Sequence, residues 1–139
     1  MPDKISIDAI VNKRRSDVWR LFNEPRHITG WNFASDDWCC PRAENDLRVG
    51  GRLCLRMEAK DGSFGFDYEA IYDVVAAQQK LAYTMPDGRH VETRFEDLDE
   101  ATKVTTEFDP ESSNPLEMQR DGWQAILNNF KKYAESASI

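Results

Sequence analysis

An amphipathic C-terminal segment, preceded by about eighty residues of strand-like alternation, constrains this chain more than any other feature. Leu116, Gln119, Trp123, Ile126, Leu127, Phe130, Tyr133 and Ala134 recur at helical spacing and form one broad apolar stripe. Asn114 suits the N-cap, Pro115 the first helical position and Glu117 the acid of a capping box. A helix from Asn114 to about Ser136 is roughly 35 Å long, enough to cross a whole sheet. One such helix laid over a curled sheet leaves space between them in which an apolar ligand can sit.

The strands that precede it are read from period-two alternation. Ile5, Ile7, Ala9 and Val11 share one face of a half-buried strand. From about Arg14 to Phe22 the period changes to that of a short helix, which Pro25 stops near Asn23. A second short turn follows, from Pro25 to Thr29. Trp31 to Trp38 is a polar loop carrying Trp31, Phe33 and Trp38. Those aromatics either plug one end of the core or line a ligand entrance. Cys39 to Leu47 is the least regular strand, and Pro41 marks it as an edge or a bulge. Gly50-Gly51, Asp61-Gly62 and Pro86-Asp87-Gly88 are turns. They separate alternating runs around Leu55, from Phe64 to Val74, from Leu81 to Met85, from His90 to Leu98 and from Lys103 to Asp109. The expected architecture is α+β: six or seven antiparallel strands curled around the last helix, with two short helices after the first strand.

Composition bounds the function classes. The 139 residues are expected to form a single domain, 1–139, with four Trp, four Tyr and seven Phe to build its core. A net charge of −7 argues against nucleic acid or an anionic membrane as partner. No signal-like or membrane-spanning run is visible, so a cytoplasmic protein is expected. Cys39, Cys40 and Cys54 lack the spacing of a zinc site, and with His27 and His90 as the only imidazoles no metal or other cofactor is expected. Both histidines are expected at the surface.

The candidate site lies inside the container. Strand phase turns Tyr68, Tyr83, Thr106 and Gln119 inward, and with Ala43 and Leu47 inward it turns Asn45 the same way. Cys39 follows unless a bulge at Pro41 shifts the register. A few hydroxyl and amide groups among aromatics describe a ligand pocket, or else they bond to one another in a filled core. The expected ligand-binding residues are Trp31, Phe33, Trp38, Cys39, Asn45, Met57, Phe66, Tyr68, Trp123 and Leu127. No catalytic constellation is visible: Glu69, Glu92, Glu96 and Glu107 fall on the solvated phase of their strands.

The Trp31 segment, Asp46 through Arg52 with its Arg-Val-Gly-Gly turn, the Asp61-Gly62 hairpin and Gly122-Trp123 together resemble the activator of 90-kDa heat-shock-protein ATPase homologues. These are START-like, or SRPBCC, proteins with a helix-grip fold. The resemblance runs from Lys4 to about Ala134. Cys39 and Cys40 stand where members of that family often carry His and Thr. The resemblance implies a deep cavity between sheet and C-terminal helix, without implying one activity. The expected function is binding of a small hydrophobic or amphipathic molecule by a monomer or homodimer. The alternatives are a polyketide cyclase or dehydratase-like enzyme, or co-chaperone stimulation of a heat-shock-protein ATPase. The second of these is the weaker, since the co-chaperone carries a separate chaperone-binding domain.

Overall fold

The computed structural model describes residues 4–137. In the first strand, β1 (Ile5–Val11), odd residues are buried and even ones exposed, as period-two alternation demands. The chain then turns into α1 (Arg15–Asn23), which buries Val18 and Leu21. Glu24 is extended, because the ring of Pro25 disfavours a helical residue before it, and Pro25 opens the single turn α2 (Pro25–Ile28).

Six further strands follow: β2 (Trp38–Asn45), β3 (Arg52–Ala59), β4 (Gly65–Ala76), β5 (Lys80–Thr84), β6 (His90–Asp97) and β7 (Thr102–Phe108). They form one antiparallel sheet in the order β1-β7-β6-β5-β4-β3-β2. Thus β2 to β7 run as a meander, and α1 and α2 carry the chain from one edge of the sheet to the other. The last element is α3 (Leu116–Ser136). This is the helix-grip arrangement.

Two bulges set which side chains face inward. On β2 the register slips between Cys39 and Arg42, so that Cys40 and Pro41 together oppose the single residue Met57. Cys40 is therefore buried, while Cys39 lies opposite Glu58 on the outer phase, a correction to the expectation that Cys39 faces the interior. On β4 a slip between Tyr72 and Val74 re-aims the strand where it pairs with β5.

The start of α3 also differs from expectation. Pro115, at φ −57° and ψ 145°, is itself the flanking residue, and the helix begins at Leu116. Asn114 does not cap it; its backbone and side-chain amides both donate to Glu111 Oε1 at 2.8 Å. Because Pro115 is itself extended and takes the flanking position, Asn114 lies one residue outside the cap. Gln119 secures the helix start instead. Its Oε1 accepts from the Glu111 amide at 2.8 Å, and its Nε2 donates to the carbonyls of Glu111 and Asn114. Gln119 is buried in this role and does not line the interior space.

Side chains fasten α3 along β1 rather than over the middle of the sheet. Arg120 donates to the Ser6 carbonyl, Gln124 to that of Asp8 and Lys131 to that of Ile10, while Glu135 accepts from the Asn12 amide. On its other side, Asn129 Nδ2 donates to the Trp31 carbonyl at 2.9 Å. A helix held this way leaves the inner faces of β3, β4 and β5 uncovered by direct packing.

Candidate functional site: a cavity between sheet and helix

A cavity of about 250 Å³ lies between the inner face of the sheet and α3. Alternate residues of each strand build its wall. Leu53, Leu55 and Met57 come from β3, and Phe66, Tyr68 and Tyr72 from β4. Leu81 and Tyr83 of β5 continue it, with Thr93 of β6 and Thr106 of β7 beyond. Trp123, Ile126 and Leu127 form the helical side, while Phe22, Ile28 and Trp31 come from the helical crossover and the loop after it.

Aromatic contacts hold these walls in place. The Trp123 indole stacks on Phe108 with centroids 3.9 Å apart, and Tyr68 meets it edge-on at 6.5 Å. Trp31 is buried, donates through Nε1 to the Leu21 carbonyl at 3.0 Å and packs against Phe22 and Phe130. It is thus both core plug and cavity wall. Phe66 is the most accessible of the lining side chains, 42% exposed, and marks the rim. Trp38 and Phe64 adjoin it there, with all three ring centroids about 6 Å apart.

Six of the polar side chains in the wall bond in pairs. Tyr68 and Tyr83 share a hydrogen bond of 2.8 Å between their hydroxyls, and Thr93 and Thr106 share one of 2.9 Å. Tyr72 donates to Asn45 Oδ1 at 2.7 Å, and Asn45 Nδ2 donates to the Asn23 carbonyl at 2.8 Å. This last pair ties β4, β2 and the end of α1 together at the cavity. Among the described residues, the ionisable groups in the lining are these tyrosines alone. Burial pushes the Tyr68 phenol up to about 12 and raises those of Tyr72 and Tyr83 as well. All three remain neutral donors at physiological pH, and none is a base for proton abstraction.

The expected site residues divide accordingly. Trp31, Asn45, Met57 and Phe66 line the cavity, as do Tyr68, Trp123 and Leu127. Trp38 stands just outside it at the rim. Phe33 is half-buried in the loop, where its carbonyl faces Asn129, and it is not part of the lining. Cys39 is excluded by the β2 bulge. Its neighbour Cys40 has its thiol pushed up to about 11, by burial first and by Cys39 second, which makes it a poor nucleophile. Three of the four outer-phase glutamates are in ion pairs there: Glu69 with Arg52, Glu92 with Arg94 and Lys80, and Glu107 with Arg94.

Sequence reasoning missed Phe22, Ile28 and Tyr72 as cavity residues. Tyr72 carried a usable signal, since it lies on the same alternating phase as Tyr68. It also placed His27 at the surface, which the structure corrects. The His27 side chain is only 13% exposed, and its Nδ1 sits 2.8 Å from the Tyr133 hydroxyl. Gly30 makes that contact possible, because a Cβ there would lie 2.5 Å from Tyr133 Cε1.

A family model described as activator of Hsp90 ATPase homolog 1-like protein matches residues 12–135. The chain belongs to this family. Its solved relatives include an AHSA1-like protein from Aeromonas hydrophila, 44% identical, with a TM-score of 0.90 over 96% of this chain and 92% of that one. A protein from Cytophaga hutchinsonii is likewise 44% identical, with a TM-score of 0.84 over 96% and 93% of the two chains. A protein from Chromobacterium violaceum shares the fold at 19% identity, with a TM-score of 0.86 over 99% of this chain and all of that one. None of the curated proteins matches the chain. Membership of the Activator of Hsp90 ATPase homolog 1-like family places the chain in the START, or SRPBCC, type and gives it a ligand-binding fold.

Proposed function

We propose that this protein binds a small apolar or amphipathic molecule in the cavity between its sheet and α3. The observation that carries this reading is the lining itself: chiefly apolar and aromatic side chains, with a few neutral polar groups among them. At about 24 cal/mol per Å³, an empty space of about 250 Å³ would cost about 6 kcal/mol. That is comparable with the whole net stability of a domain, about 5 to 15 kcal/mol. An occupant is therefore favoured, and a wall this largely apolar favours an apolar body over a cluster of water.

A cyclase or dehydratase reading needs a group that exchanges protons near neutral pH, and the neutral tyrosines of the lining do not provide one. Stimulation of a chaperone ATPase would act through the outer surface, where no specific feature favours it. Cytosolic residence suits the protein, since its three cysteines are free thiols.

Native mass spectrometry of the purified protein tests the proposal. An adduct removable by organic solvent is expected, together with a melting temperature that climbs with the concentration of ethylnaphthalene. A bare-chain mass combined with a melting temperature that this probe does not move overturns the reading.

A further inference from the structure

We infer that the Tyr68–Tyr83 pair is the polar anchor of the cavity, and that the ligand it selects carries an oxygen acceptor, such as a carbonyl, on an otherwise apolar body. The inference rests on the proposed binding function and specifies its ligand class. It follows from counting hydrogens. Two phenol hydroxyls bring two protons, and one hydrogen bond between them, 2.8 Å long, uses one. Among the described residues the second proton has no acceptor. Tyr83 is only 9% exposed, so a donor left idle there is desolvated without compensation.

Position separates this pair from the other polar groups. The Tyr72 phenol is committed to Asn45. Thr93 and Thr106 obey the same count as the tyrosines but are almost wholly buried, at 2% and 6%. Tyr68 instead keeps part of its surface open to the cavity and lies two residues from Phe66, the rim residue of the same strand. A guest passing Phe66 meets the tyrosine hydroxyls next.

The pair is also redundant. Removing either hydroxyl leaves the other, whose proton is then free for the guest. A single Tyr→Phe substitution therefore retains the selectivity, and only the double substitution loses it.

Methyl naphthyl ketone and ethylnaphthalene, which have nearly the same shape, are the probes, with affinities measured by calorimetry. The wild-type protein is expected to bind the ketone about five- to tenfold more tightly. Tyr68→Phe and Tyr83→Phe alone should keep that preference, and Y68F/Y83F should bind the two equally. Undiminished affinity of the double variant for ethylnaphthalene shows that it is folded. Equal affinity in the wild type overturns the anchor while leaving the binding function standing. A preference that survives Y68F/Y83F but is lost in Thr93→Val assigns the anchor to the threonines and overturns it too. Binding of neither probe overturns the proposed function and the anchor together.

Discussion

The Trp123 indole lies flat on the Phe108 ring, 3.9 Å between centroids and 12° between planes, so the helix and the β7 end of the sheet share one aromatic step. Phe108 is fully buried, whereas Trp123 has its other face on the cavity. The stack therefore fixes one wall of the space at its helical side.

Trp123→Ala removes that wall. The expected loss is about 3 kcal/mol, the lower end for a large aromatic, because Trp123 is only half-buried. Urea denaturation measures it, and a loss under about 1 kcal/mol would show that the stack is not a structural support.

Asn45 and Tyr72 act as a unit. Asn45→Ala leaves the Tyr72 hydroxyl and the Asn23 carbonyl without partners, at an expected cost of about 2 to 4 kcal/mol. Adding Tyr72→Phe removes one of the orphaned groups, so the double variant should be more stable than the sum of the two single losses predicts. A double-mutant cycle reads the coupling directly, and strict additivity would refute it.

His27 predicts a pH dependence. Burial, then Arg26, lowers its pKa below the ordinary value, against a smaller opposing influence from Glu24. Glu24 Oε1 is 3.7 Å from Nε2, and the Tyr133 hydroxyl faces Nδ1. The fold thus favours the neutral ring. Its contribution is complete above the unfolded value of about 6.5 and is lost as pH falls from there through the lower folded value. Between about pH 7.5 and about pH 5.5 the melting temperature of the wild type should drop further than that of His27→Gln. Parallel pH profiles would contradict this.

Phe66 predicts a kinetic effect. As the exposed rim residue, its truncation in Phe66→Ala should raise both association and dissociation rates of ethylnaphthalene several-fold and change the affinity less. Stopped-flow tryptophan fluorescence follows both rates. Unchanged rates would place the passage elsewhere.

What was legible in the sequence were features set by period and local sterics. Alternation placed Tyr68, Met57 and Leu55 on one face, and helical spacing placed Trp123 and Leu127 opposite them. What was hidden depended on single-residue slips or distant partners. Pro41 signalled irregularity in β2, yet only the register shows that Cys40 rather than Cys39 turns inward. His27 reads as a surface residue because its partner Tyr133 lies 106 positions away. Asn114 has the chemistry of a cap, but the helix begins one residue later than its sequence suggests, with Pro115 in the flanking position.

The fastening of α3 along β1 has a consequence for how the molecule meets copies of itself. Carbonyls of Ser6, Asp8 and Ile10, which would otherwise template an incoming strand, are occupied by Arg120, Gln124 and Lys131. At the far border of the sheet, the β2 slip around Pro41 breaks the regular ladder that strand addition requires. Neither margin invites edge-to-edge polymerisation, so a protein with an open, half-wrapped sheet is protected from amyloid-like growth by its own side chains.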